Sequence, residues 1–317
     1  MRAILCTKYG PPEVLQLHEV DKPIPKNNEV LIKIRATAVT ASDCIIRGFK
    51  MPGDHRFPKK QIMEFMMRFY LGFRKPKNPI IGLVLSGEIE SIGEDIQKFK
   101  KGDQVYGFTG YSFGAYAEYK CMSEKESTLG CLSIKPDNMD HEKTASVAYG
   151  GILATHYMRN WNIQSGQKAL IYGASVAIGT LAVQLAKHFG AEVTGVCSTS
   201  NIELVKSLGA EKVIDYTEED SINKLELYDF ILDAVGKNKS SALKVQCKKA
   251  LTLNGQYTSV DDGLLKLRSE YLMQLKEIIE AGHLRPVIDR RYPLELIVEA
   301  HEYVDTGHKK GSVVITI

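Results

Sequence analysis

Polar and apolar positions alternate with the period of strands through the first ~120 residues. Val30-Leu31-Ile32-Lys33-Ile34-Arg35-Ala36 is the clearest run. Gly10-Pro11-Pro12, Lys26-Asn27-Asn28 and Lys101-Gly102-Asp103 separate the apolar stretches as turns. Residues Ile81 to Glu90 predict a strand bent at Gly82 and Gly87. One stretch in this half follows another rule: Ile62, Phe65, Met66, Phe69 and Tyr70 recur at i, i+3, i+4, i+7 and i+8, an amphipathic helix within Lys59 to Phe73. A helix packed on the β core, a lid over an apolar substrate and a contact with a membrane surface are its three possible roles.

From residue 140 onward the pattern changes to strands alternating with helices. Lys168–Tyr172, Glu192–Cys197, Val213-Ile214, Phe230–Leu232 and Gly255–Val260 read as strands. Thr180–Phe189, Asn201–Leu208 and Glu270–Ala281 read as helices, the first two stopped by Gly190 and Gly209. This order predicts a parallel sheet covered on both faces. The final Lys310–Ile317 is a strand without a local partner, expected to return to the β-rich first domain and so to make the α/β unit an insertion. The expected division is 1–122, 123–262 and 263–317.

Composition narrows the class. The 317 residues are 44% hydrophobic and 25% charged, with a net charge of +3, which argues for a globular chain and against a nucleic-acid or anionic-membrane partner. Six cysteines without C-x-x-C spacing, and an N-terminus running straight into strand alternation, place the chain in the cytoplasm with buried thiols. Ala169–Ala186 carries no charge, but Gly173, Ser175, Gly179, Thr180 and Gln184 interrupt it, so no membrane span is expected.

The turn after the first α/β strand carries the strongest chemical signal. Gly173-Ala174-Ser175-Val176-Ala177-Ile178-Gly179 joins a strand to a helix, where bare backbone N–H groups can face a dinucleotide pyrophosphate. In the G-x-G-x-x-G phasing ending at Gly179, Ala174 and Val176 replace the first two glycines. After the next strand, the position of an NAD-selecting acid is taken by Ser198, Thr199 and Ser200, which favours NADPH; no Arg or Lys lies in that loop.

Several motifs, end to end and in order, resemble the zinc-free medium-chain dehydrogenases/reductases, above all the quinone oxidoreductase (zeta-crystallin-like) branch. They include Tyr9-Gly10-Pro11-Pro12-Glu13-Val14-Leu15, Val39-Thr40-Ala41-Ser42-Asp43, Lys101-Gly102-Asp103-Gln104-Val105-Tyr106-Gly107, Gly114-Ala115-Tyr116-Ala117-Glu118-Tyr119, Leu208-Gly209-Ala210 and Asp233-Ala234-Val235-Gly236. The resemblance implies a Rossmann-type, doubly wound parallel sheet inserted in a GroES-like β-rich catalytic domain, with the cofactor in the cleft between them. Where zinc enzymes of the superfamily place Cys and a His-Glu pair, this chain has Thr40, Leu83 and Val84, none able to bind zinc. The resemblance further implies Thr40, Asp43 and Tyr149 beside the nicotinamide, with Tyr149 donating to a carbonyl oxygen; alternatively Tyr149 is a packed tyrosine in a turn, and Asp43 pairs with a neighbouring Arg or backbone amide. It also implies cofactor contacts at Tyr216, Val235, Gly236 and Val260, and a homodimer. Ser312 stands where many relatives have Lys after the closing Gly311. The expected function is zinc-independent, NAD(P)H-dependent hydride transfer to a quinone or α,β-unsaturated carbonyl. An enoyl-thioester reductase and a non-catalytic homologue with a decayed cofactor site are the alternatives.

Overall fold

The computed structural model describes residues 1–49, 59–236, 241–263 and 265–317, without the side chains of residues 59, 60, 62, 63 and 70. The first half holds β1 (Arg2–Cys6), β2 (Leu15–Glu19), β3 (Glu29–Val39), α1 (Ala41–Gly48), α2 (Lys59–Leu71), β4 (Val84–Ile92), β5 (Gln104–Phe108), β6 (Tyr119–Ser123) and β7 (Cys131–Ile134). The long α3 (His141–Met158) leads into β8 (Lys168–Tyr172), α4 (Ala177–His188), β9 (Glu192–Cys197), α5 (Ile202–Ser207), β10 (Lys212–Asp215), β11 (Tyr228–Asp233), α6 (Ala242–Cys247) and β12 (Leu251–Ser259). The chain closes with α7 (Ser269–Glu280), β13 (Ile288–Pro293), α8 (Ile297–Asp305) and β14 (Ser312–Thr316).

Among the described residues, β8 to β12 form a five-stranded parallel sheet in the order β10-β9-β8-β11-β12. The strand order reverses between β8 and β11, so a crevice opens at their carboxyl ends. The other large sheet is seven-stranded and runs β13-β14-β3-β4-β5-β7, with β6 also on β3. The closing strand β14 pairs antiparallel with β3, as expected, and so returns the chain to the first domain. That sheet continues beyond residue 122, because β7 pairs with β5.

Helix α3 joins the two units, packing on α4 from one side and on β3, β4 and β14 from the other. It is buried nearly all round, from Thr144 to Met158, so it carries no amphipathic stripe. Gly150 is what allows the close crossing: a Cβ there would lie 2.4 Å from the Ala177 carbonyl oxygen in the first turn of α4. The neighbouring Tyr149 is thereby placed beside the N-terminus of α4, in mid-helix rather than in a turn.

Of the three roles open to α2, packing on the β core through its apolar stripe is not what the described residues of that stripe do. Met67 and Leu71 pack inward on the first domain, while Phe65, Met66 and Phe69 of the apolar stripe are 62–68% exposed. The side chains of Ile62 and Tyr70 lie outside the described residues.

Candidate active site

The strand–turn–helix from β8 to α4 is built around two close approaches. Gly173 has φ +82°, and a Cβ there would meet Val235 Cγ2 at 2.4 Å. A Cβ on Gly179 would lie 2.0 Å from the Gly173 carbonyl oxygen, so only glycine lets the helix sit this near the turn. Val176, at a position expected to need glycine, is the N-cap of α4 with φ −80° and ψ 167°, ordinary extended backbone for a β-branched residue. Its side chain packs on the apolar core, which leaves the cradle formed by the backbone of Ala174, Ser175, Val176, Ala177, Ile178 and Gly179. The first N–H groups of α4 have no partner within the helix, and they and the helix dipole suit a pyrophosphate.

One turn away, Asn201 Nδ2 donates to Ser175 Oγ and Ser198 Oγ, both at 3.1 Å, and ties the cradle to the loop after β9. Ser198 and Ser200 hydroxyls lie 3.4 Å apart, and Thr199 Oγ1 is 3.1 Å from Thr217 Oγ1. Tyr216 follows β10 and is half exposed beside them. The charge absent from the loop sequence arrives from the far end of the chain: Lys310 Nζ is 3.5 Å from the Ser200 carbonyl oxygen. Gly311 N–H also donates to the Ser175 carbonyl at 2.8 Å, fixing that segment over the cradle. Ser312, which replaces a lysine, instead donates its hydroxyl to the Ser146 carbonyl at 2.7 Å and binds β14 to α3. The acid of β10, Asp215, accepts from Thr217 N and Oγ1, and its side chain is buried under the loop.

Val235 and Gly236 form the turn after β11. Both N–H groups donate to Asp233 Oδ1 at 3.1 Å, with Gly236 at φ +78°. Asp233 is in turn held by Lys244 Nζ at 2.7 Å, an ion pair whose side chains are both under 7% exposed. Removing either partner of such a pair costs about 3–5 kcal/mol, so this pair fixes the crevice wall. Val260 donates its N–H to the Asp233 carbonyl and accepts from the Tyr157 hydroxyl at 2.6 Å, beside the same wall.

On the catalytic side, Tyr149 stacks on Phe108 with centroids 5.9 Å apart, and its hydroxyl is 2.7 Å from Ser42 Oγ. Burial pushes the Tyr149 hydroxyl up to about 12, against the Ser42 hydrogen bond that lowers it. Tyr149 therefore remains a neutral donor throughout the ordinary pH range. The sequence reading named Tyr149 but passed over Ser42, because a serine in the first turn of a helix carries no spacing signal.

Thr40 and Asp43 turn out to be occupied with each other. They form a capping box at the start of α1, Thr40 N and Oγ1 donating to Asp43 Oδ2 at 2.9 and 2.7 Å and Asp43 N donating back to Thr40 Oγ1. Asp43 does not pair with Arg47, whose guanidinium holds Asp305 at 2.5 Å and reaches His301. Burial pushes the Asp43 carboxyl up to about 7, with the Thr40 hydrogen bonds opposing the rise. These two residues fix the start of α1. Ser42, one residue from Asp43, is half-buried, and its hydroxyl is the one that meets Tyr149.

Thr40, Leu83 and Val84 are all buried. Thr40 is committed to its cap, and neither aliphatic side chain has a donor atom for a metal. Among the described residues no three His, Cys, Asp or Glu side chains gather as a metal site.

Residues 26–132 match the model for an alcohol dehydrogenase GroES-like domain, and residues 177–261 and 256–315 match models for a zinc-binding dehydrogenase. Mouse "NAD(P)H oxidoreductase RTN4IP1, mitochondrial" is 30% identical over 370 residues, covering 100% of this chain and 89% of that protein. The chain belongs to the medium-chain dehydrogenase/reductase family. Its domains are accordingly the GroES-like and Rossmann-type units of that family. Tomato 2-methylene-furan-3-one reductase is 30% identical, with 99% of this chain and 79% of that protein covered. The solved quinone oxidoreductase from Coxiella burnetii superposes with a TM-score of 0.82 at 26% identity, covering 100% of this chain and 99% of the other. The zinc-binding description attached to the family models does not fit Thr40, Leu83 and Val84.

Proposed function

We propose that this medium-chain reductase uses NADPH to reduce a quinone or an α,β-unsaturated carbonyl, without zinc. The observation that carries the proposal is the hydrogen-bonded Ser42–Tyr149 pair at the domain junction, one residue from the contact of α3 with the N-terminus of α4. A bound nicotinamide supplies the hydride. The chain supplies orientation through the Gly173–Gly179 cradle and a neutral hydroxyl at the point where negative charge grows on the acceptor oxygen. Conjugated acceptors spread that charge, so one good donor suffices where an unconjugated carbonyl would need a Lewis acid. Ser42 would relay a proton from solvent to Tyr149 after Tyr149 gives up its own, so that both hydroxyls end the step neutral. A panel comparing a naphthoquinone, a short enone, an acyl-thioester and a simple ketone tests the assignment. NADPH oxidation is expected with the first two, and turnover confined to the thioester or the ketone would overturn it.

NADPH rather than NADH is supported by the three hydroxyls of Ser198, Thr199 and Ser200 with Lys310 beside them, a neutral-to-positive environment suited to a 2′-phosphate. Lys310→Glu is expected to raise the KM for NADPH about tenfold or more, in line with loss of a charge-assisted contact, and to leave that for NADH nearly unchanged. Equal changes for both cofactors would remove Lys310 from the phosphate site.

The homodimer expected of this family finds a suitable edge in β12. This strand ends the parallel sheet, and Leu253 at its outer side is fully exposed. Leu253→Lys is expected to shift sedimentation from dimer to monomer, and an unchanged dimer would place the interface elsewhere. The six cysteines are unpaired, which suits a reducing compartment such as the cytoplasm. Among the described residues no helix is long and apolar enough to cross a membrane.

A further inference from the structure

The outward face of α2 has no role in the cleft. Phe65, Met66 and Phe69 point away from the domain, and Phe73 folds back so that its ring meets Phe65 edge-on with centroids 6.2 Å apart. Four large apolar side chains, each at least half exposed, thus form one continuous patch. The same segment is strongly basic: between residues 59 and 77, Lys59, Lys60, Arg68, Arg74, Lys75 and Lys77 face a single acid, Glu64. The chain as a whole is only +3, so this charge is local. Arg68 lies over the Phe49 ring at 4.3 Å, and Lys77 donates to the Phe69 carbonyl at 2.7 Å, so cations rim the aromatic stripe.

We propose that this basic, aromatic face of α2 docks the protein on an anionic lipid surface. Apolar side chains at 62–68% exposure, flanked by cations, match what the interface of a bilayer with acidic headgroups rewards: ring burial among acyl chains and attraction to the headgroups together. A second copy of the chain is the poorer occupant, since self-pairing would bring the cations of both copies together without acids to neutralise them. Closure over the cleft is also disfavoured, because Met67 and Leu71, on the opposite side of the helix, already pack inward. Docking through α2 would place the cleft mouth near acceptors dissolved in the membrane, since Phe49, under Arg68, packs in the same apolar cluster as Tyr149.

The test is co-sedimentation of the full chain, without cofactor, with vesicles of phosphatidylcholine alone or mixed with phosphatidylserine. Neither cofactor nor acceptor is needed, so the outcome is independent of the reductase assignment. Binding is expected to the mixed vesicles, little to the neutral ones, with release as salt is raised. Phe65→Ser with Phe69→Ser is expected to cut the partition coefficient about tenfold or more. Arg74→Glu with Lys75→Glu is expected to abolish the preference for phosphatidylserine. All four side chains are exposed, so melting temperature and NADPH binding should be those of the parent, which separates lost docking from misfolding. No binding to mixed vesicles at low salt would overturn the proposal. So would binding indifferent to both double variants, or a Phe pair whose removal changes only the oligomeric state or the KM for a soluble enone.

Discussion

Tyr149→Phe is expected to lower kcat for enone or quinone reduction about 100-fold, with the KM for NADPH nearly unchanged. The ring keeps its stacking on Phe108 and its place in α3, so only the hydroxyl facing Ser42 is lost. That hydroxyl is held neutral by burial, and the activity should show no loss attributable to its ionisation until pH approaches about 12. Ser42→Ala removes the partner but leaves the donor, so a smaller loss is expected, and the double variant should fall little below Tyr149→Phe alone because the two hydroxyls act as one unit. Steady-state kinetics with an enone and a quinone checks this. A Tyr149→Phe enzyme with parental kcat would show that the hydroxyl pair is structural.

The second large effect is expected at Gly179. A valine there would drive its Cβ to within 2.0 Å of the Gly173 carbonyl oxygen and 2.9 Å of Ala174 Cα, both backbone, so the helix must move off the turn. Overpacking of this kind costs about 1–3 kcal/mol, and here it also opens the phosphate cradle. Gly179→Val is expected to lower the melting temperature and to abolish saturable NADPH binding. Gly166→Ala makes the control: no atom lies within 4 Å of its would-be Cβ, so the effect there is confined to backbone strain at φ +82°. Thermal melting and fluorescence titration with NADPH on the two variants check the contrast. Tight NADPH binding by Gly179→Val would show that the dinucleotide does not rest on this turn.

Much of the second domain was legible because its local signals agree. β8 and β9 were read with the bounds that the structure gives, since short apolar runs ended by Gly173 and by the serine-rich loop leave little choice. The return of the last strand to the first domain was legible as an apolar run at the chain end, but its nearby partner β13 was not read. Helix α3 was missed because a helix buried on every side shows no 3.6-residue stripe. The stripe of α2 left core packing, a lid and membrane contact all open, since it says only that the side chains avoid water and does not say what covers them. Thr40 and Asp43 were placed at the nicotinamide, yet their three-residue spacing is the signature of a capping box, which is the role the structure gives them.

The long-range contacts at the candidate site are those that no local pattern encodes. Ser42 meets Tyr149 across 107 positions, and Lys310 meets Ser200 across 110. The loop after β9 therefore looked short of a cation, and β14 looked short of its lysine at Ser312. The chain end folds over the cradle and brings Lys310 beside that loop. Val176 looked equally unsuitable, and its extended φ shows that the backbone there is unstrained.

The most direct measurement is NADPH oxidation by the purified enzyme after exhaustive chelation, with metal content verified by mass spectrometry and a short enone and a naphthoquinone as acceptors. Full turnover in the metal-free protein, undiminished by chelator and unaffected by added zinc, is the expected result. A metal-free enzyme that oxidises NADPH with neither acceptor, or that recovers activity only when zinc is restored, would contradict it.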